Sequence, residues 1–214
     1  MIYAENVFIC IAAPFFVAIF FAREGARRFC EFFVAGVTMC LLAAYINSFL
    51  VTLTGYSMED AVICVTPISE ELMKVLPIMF YFLVMEPDDD KLITSAVATG
   101  VGFATFENCC YLLDAGAADF GSIMIRGLAV GVMHTMCTLA VALILVLFGR
   151  YHRMMPSVLA GMLAAAVTFH ALYNMLVSVE GVTQMCGYAM PLAAMVISVV
   201  VVNRRKEIWK KNNT

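Results

Sequence analysis

Charge is scarce in this chain. Asp, Glu, Lys and Arg make up 14% of its 214 residues and hydrophobic residues make up 63%. Soluble domains run at about 25% charged and 45–50% apolar, so this balance, with a mean hydropathy of +0.92, excludes an ordinary soluble domain. Long polar connections are missing too. Segments between the apolar runs are about 5–10 residues long, too short to fold as domains. The opening Met1-Ile2-Tyr3-Ala4-Glu5 has no basic stretch and no convincing small-residue cleavage site after it, so the first run is expected to be a retained anchor. CxxC and secreted-domain spacings are absent from the eight cysteines, and Cys10, Cys40, Cys64, Cys109, Cys110 and Cys137 fall inside apolar runs. They read as buried thiols rather than a disulfide framework. No HExxH supplies a zinc signature. No internal repeat of the kind that pairs the inverted halves of transporters is visible.

What is present is apolar length. A spanning helix needs about 20 mostly apolar residues, and seven runs qualify, at 2–22, 29–53, 61–85, 92–113, 123–148, 157–178 and 188–202, the last being the shortest. The expectation is an all-α, polytopic integral membrane bundle forming a single domain over 1–214, with a polar tail at 203–214. Positive residues mark the cytoplasmic side. Arg23, Arg27 and Arg28 follow the first run, Lys91 the third, Arg150 and Arg153 the fifth, and Arg204, Arg205, Lys206, Lys210 and Lys211 the seventh. The alternate connections hold only acids: Glu59, Asp60, Asp114, Asp119 and Glu180. This pattern predicts an outside N-terminus and a cytoplasmic C-terminus. The acidic Glu86-Pro87-Asp88-Asp89-Asp90 runs against it, although acids weigh little in the rule. His152 lies in a basic loop and reads as solvated, and the 16 methionines read as apolar filling.

Four polar motifs interrupt these runs: Glu70-Glu71-x-x-Lys74, Phe103-x-x-x-Glu107, His134-x-x-x-Thr138 and His170-x-x-x-Asn174. An acidic or basic side chain at membrane depth costs at least ~2.5–3.5 kcal/mol on insertion scales, so such groups face one another or a wet cavity. With a helical rise of about 1.5 Å per residue, Glu70 and Glu71 lie about 14 Å from the outer end of their run, Glu107 about 9 Å, His134 about 16 Å and His170 about 12 Å. That shared layer predicts one site in the outer half, made by helices within about 61–178. Asn174 lies one turn outward of His170 on the same face. Lys74 reaches Glu70 or Glu71 along its helix. Three glutamates against one lysine leave a formal charge of −2, which protons or a divalent cation must offset in a desolvated site. Pro67 and Pro77 bracket the glutamates and free carbonyls one turn back, as happens where helices line cavities. Gly100, Gly102, Gly127, Gly131 and Gly161, with Ala164 to Ala166, are expected to let helices approach closely.

Each residue also has a structural reading: the histidines, Asn174 and Thr138 as interhelical hydrogen-bonders, Glu71 with Lys74 as an ion pair, and Arg126 as a snorkelling side chain. Glu107 has no basic neighbour on its own helix. As a set they suit hydrolysis, which needs a trapped water, a base and oxyanion donors. Glu70 or Glu71 is the expected base, with His134 and His170 holding the water and Asn174 stabilising the oxyanion. In a metal-assisted version, His134, His170 and Glu71 or Glu107 bind Zn²⁺ in the open three-ligand arrangement of catalytic zinc. A competing class is a proton- or divalent-metal-coupled transporter using the same Glu/His chain. It needs a continuous polar path inward, and the third and fourth runs have no ionisable residue below the cluster. A noncatalytic immunity or scaffold protein is the third class, and replacing Glu70 and Glu71 by alanine would leave its activity intact.

Glu-Glu-x-x-Lys, then Gly-Phe-x-x-x-Glu-Asn-x-x-Tyr from Gly102 to Tyr111, His134-Thr135 and His170-x-x-x-Asn174, in that order, resemble the PrsW family of polytopic intramembrane proteases. The resemblance covers roughly residues 61–178. It implies cleavage of a single-span anti-sigma factor near its extracytoplasmic side, the first cut of a stress-response cascade, in a bacterial plasma membrane. The implied partners are that substrate and the bilayer, with no nucleic acid. The more distant CAAX-processing and bacteriocin-immunity proteases carry Glu-Glu-x-x-x-Arg and Phe-x-x-x-His. Lys74 at shorter spacing and Glu107 in place of that histidine side with PrsW.

Overall fold

The computed structural model describes residues 4–115, 120–149 and 153–212. Among them every regular element is helical. Helix α1 (Ala4–Phe21) is joined to α2 (Glu24–Thr54) by two residues. Gly55 ends α2 at φ +69°, where its N–H closes on the Val51 carbonyl at 2.9 Å, a left-handed cap that glycine adopts without steric penalty. Ser57 caps the short α3 (Met58–Cys64) by accepting from the Asp60 N–H at 3.1 Å. Then come α4 (Thr66–Phe80), α5 (Asp89–Ala115), α6 (Phe120–Phe148), α7 (Met155–Val177) and α8 (Val182–Asn212). Asp88 closes the start of α5, taking the Lys91 N–H at 2.9 Å and its ammonium at 2.7 Å. These bonds hold the Asp88 carboxyl below the ordinary carboxylate range.

The run expected at 61–85 is not one regular helix. It breaks at Val65, between α3 and α4, and its last turn, Tyr81–Met85, is π-helical. Proline explains both departures. Pro67, in the first turn of α4, has no N–H to continue the ladder from α3, and Pro77 withholds another inside α4 just before the widened turn. The run expected at 188–202 is the middle of the longer α8, whose backbone remains helical to Asn212. Asp119, Arg150 and His152 lie outside the described residues, as do the side chains of Asp114 and of the basic residues 204–211.

Among the described residues, five helices are long and apolar enough to cross a membrane: α1, α2, most of α6, α7, and α8 as far as Val200. Helix α4 has 15 residues, among them Glu70, Glu71 and Lys74, and α5 is diluted by threonines, glycines, Glu107 and Asn108. Phe20, Phe21, Phe49, Leu53 and Phe80 are exposed on the outside of the bundle, the arrangement of a chain solvated by lipid.

Helix α5 is central. A Cβ on Gly36 would sit 2.1 Å from the Thr99 carbonyl oxygen, and one on Gly102 would sit 2.1 Å from that of Phe33, so α2 and α5 touch backbone to backbone. Gly100 does the same against α6, with Thr135 Cα at 2.7 Å. Gly127, Gly131 and Gly161 have nothing within 4 Å, so the close approach expected of them does not occur. They face outward. Three apolar clusters fill the bundle. Phe33, Val37, Phe103 and Phe106 join α2 to α5, and Val130, Met133, Ala166 and Tyr173 join α6 to α7. The third joins the later part of α4 (Val75, Ile78), the start of α5 (Leu92, Ala96) and the later part of α6 (Val141, Ala142, Leu145). That last cluster floors one end of the bundle, and the polar motifs lie directly above it.

Candidate active site

Helices α4, α5, α6 and α7 each send one motif to the same place. Glu71, on α4, is 1% exposed. Its Oε1 accepts from Lys74 Nζ at 2.6 Å and from His170 Nδ1, on α7, at 2.8 Å. Lys74 is fully buried and also donates to His134 Nδ1, on α6, at 2.7 Å. His134 Nε2 in turn is hydrogen-bonded to Glu107 Oε2, on α5. A continuous chain thus runs from His170 through Glu71, Lys74 and His134 to Glu107. Charges that would each be costly in hydrocarbon are paired and hydrogen-bonded together. Phe103, one turn before Glu107, lies beneath the chain, its ring centroid 4.9 Å from both the His134 ring and Lys74 Nζ. The helices are held in register around it. Ser69 Oγ donates to Asn47 Oδ1, tying α4 to α2.

Glu70 differs from its neighbour. It is buried, and its Oε2 has no hydrogen-bond partner. His170 Nε2 is 3.9 Å from that oxygen, beyond hydrogen-bonding distance. Because His170 donates from Nδ1 to Glu71, its Nε2 carries the free lone pair. A histidine oriented by a carboxylate and presenting its other nitrogen is the usual posture of a metal-binding imidazole. The His134 ring lies edge-on to it, with centroids 5.1 Å apart. One donor atom each from Glu70, His134 and His170 fall within 4.8 Å of one another. One carboxylate and two imidazoles suit Zn²⁺, and three protein ligands leave a position for water or substrate. The orphaned Glu70 oxygen is what a buried site leaves for a cation.

The expected residues therefore divide. Glu70, Glu71, Lys74, Glu107, His134 and His170 come together. Glu70 occupies the position in the three-donor group that the sequence reading gave to Glu71 or Glu107, and those two carboxylates are bonded to the histidines instead. Asn174 stands at the rim, half-buried, donating through Nδ2 to the Val62 carbonyl of α3 at 2.9 Å. Thr138 donates to the carbonyls of His134 and Thr135 on its own helix, 3.2 and 3.0 Å away, and seats Gly100. Arg126 is not merely snorkelling. Its guanidinium lies 3.4 Å from the Tyr111 ring centroid, and its Nη2 is 3.6 Å from Glu107 Oε1. A lone arginine in an apolar run was the available signal; its partner, 19 residues earlier on another helix, was not readable.

The sequence model of the PrsW family of intramembrane metalloproteases matches residues 24–202. No curated protein and no solved structure matches the chain.

Proposed function

This chain belongs to the PrsW family of intramembrane metalloproteases, and we propose that it hydrolyses a peptide bond of a single-span membrane protein near its extracytoplasmic side. An anti-sigma factor in a bacterial plasma membrane is the proposed substrate. The observation that carries this reading is the convergence of Glu70, His134 and His170 within 4.8 Å, beside a buried carboxylate oxygen with no partner. The proposed passage of the chain is sevenfold, N-terminus outside, with α3, α4 and its π-turn together making the third crossing. The alternation of basic and acidic connections supports it.

Glu70, His134 and His170 are the residues that would hold a zinc ion. Such an ion supplies Lewis-acid polarisation of the scissile carbonyl and of a water molecule. Glu71 orients His170 through its Nδ1 proton, and Lys74 is paired with Glu71 from the same helix. The proposed acceptor of the attacking water's proton is Glu107, at the mouth of the site. Its side chain is 28% exposed, and the proton can leave from there. Asn174 has a second Nδ2 hydrogen beyond the one given to Val62, and that hydrogen is the proposed oxyanion donor. Among the described residues, the floor beneath the cluster sets only the buried hydroxyls of Ser95 and Thr99 among its apolar side chains, with no buried carboxylate, imidazole or amine, which favours hydrolysis over proton- or metal-coupled transport.

The test is cleavage of a single-span anti-sigma factor by the purified, detergent-solubilised protein, with wild type compared to Glu70→Ala, with and without chelator. Cleavage that is lost in Glu70→Ala, lost on chelation and restored by zinc is the expected result. Absence of cleavage across several such substrates, together with Glu70-dependent ion flux in liposomes, would replace this reading with transport.

A further inference from the structure

Both ring nitrogens of His134 are occupied. Lys74 is bonded to Glu71 as an ammonium and has only donors to offer, so His134 Nδ1 accepts from it. The ring proton is therefore on Nε2 and is donated to Glu107. In this state His170 has a lone pair to give and His134 has none. The three-donor group is complete in residues and closed at one of them.

Glu107 is the easier closure to open. Pulling Lys74 from the ring disturbs a side chain with 0% exposure, whereas the Glu107 side chain is 28% exposed at the mouth. A carboxylate leaving His134 needs a cation to receive it, because bare charge in an apolar setting is costly. Arg126 is already placed for this. Its side chain is 24% exposed, with Nη2 3.6 Å from Glu107 Oε1, outside hydrogen-bonding range and one small movement from it. Tyr111 holds the guanidinium from beneath, and its buried Nε has no partner.

We infer that Arg126 is a positioning residue that draws Glu107 off His134 when a metal ion loads, and so sets metal affinity without touching the ion. This rests on the reading of Glu70, His134 and His170 as the metal site. On loading, the Nε2 proton leaves to solvent through the mouth while Lys74 passes one ammonium proton to Nδ1, so the ring stays neutral and Lys74, now an amine, accepts from it. Lys74 keeps Glu71, and Glu107 closes the gap to Arg126 through Oε1. Its Oε2 is then free to act as the proton acceptor. One displacement both opens the third donor and frees the base.

The experiment measures Zn²⁺ affinity of the full-length, metal-stripped protein in detergent by competition with a chromophoric chelator. His170→Ala should abolish tight binding and thereby identify the site. Arg126→Gln should weaken binding about tenfold, the scale of losses when outer-shell partners are removed, while Arg126→Lys, which keeps a cation there, retains most of it. In a Glu107→Gln background the Arg126→Gln change should have no further effect, because no carboxylate remains to be drawn away. Wild-type affinity in Arg126→Gln, or an equal loss with and without Glu107, overturns the inference. Zinc binding indifferent to His170→Ala removes the metal-site reading and this inference with it.

Discussion

Two adjacent glutamates do different work because of what each touches. Glu71 takes both Lys74 and His170 on its Oε1, while Glu70 keeps an unpartnered oxygen. Glu70→Gln preserves shape and removes charge, so it should lower cleavage by at least ~10²-fold while leaving the protein folded, as judged by circular dichroism. Asn174→Ala separates two roles. If its spare hydrogen meets the oxyanion, kcat falls by about 10²–10³-fold at little change in KM. If Asn174 only ties α7 to α3, kinetics hold and the melting temperature drops instead. The sequence made these residues conspicuous because ionisable groups are so rare in it. Pairing was another matter: i,i+3 and i,i+4 spacing offered Lys74 either carboxylate, and only the neighbours on α6 and α7 choose between them. The link from Arg126 to Glu107 crosses helices, which no spacing rule reaches.

At the scale of elements, hydropathy located the helices but not their faces. Glycines at 100, 102, 127, 131 and 161 look equivalent in sequence, yet only the first two meet another backbone. Gly36, in a run with no polar motif to draw notice, is as tightly seated as either. Gly36→Ala is expected to cost about 1–3 kcal/mol as an overpacking change, while Gly131→Ala, which meets open space, should be neutral or stabilise by about 0.5–1 kcal/mol through helix propensity. Thermal melts of the two variants in the same detergent check the contrast. The division of the third run into α3 and α4 was half visible, since Pro67 and Pro77 announce missing donors. Sequence alone left open whether each would bend, widen or break its helix, because neighbouring helices decide where freed carbonyls find room.

For the whole molecule, the proposed sevenfold passage predicts which connections meet which solvent. A cysteine introduced at Tyr56 should react with a membrane-impermeant thiol reagent added outside intact cells, and one at Pro87 only after the membrane is opened; the reverse would invert the topology. Metal loading should also register globally. Zinc at about 100 times its dissociation constant adds roughly 2.7 kcal/mol to the stability of a protein that binds it only when folded, seen as a raised melting temperature that Glu70→Ala lacks. The floor of Val75, Ile78, Leu92, Ala96, Val141, Ala142 and Leu145 bears on the economy of the host cell. A hydrolase that admits water to the interior of an energised membrane is a potential short circuit for the ion gradient that drives ATP synthesis. Across that route this chain sets seven interlocked apolar side chains, broken only by the hydroxyls of Ser95 and Thr99, the kind of barrier a cell needs to keep such an enzyme standing ready without draining its own battery.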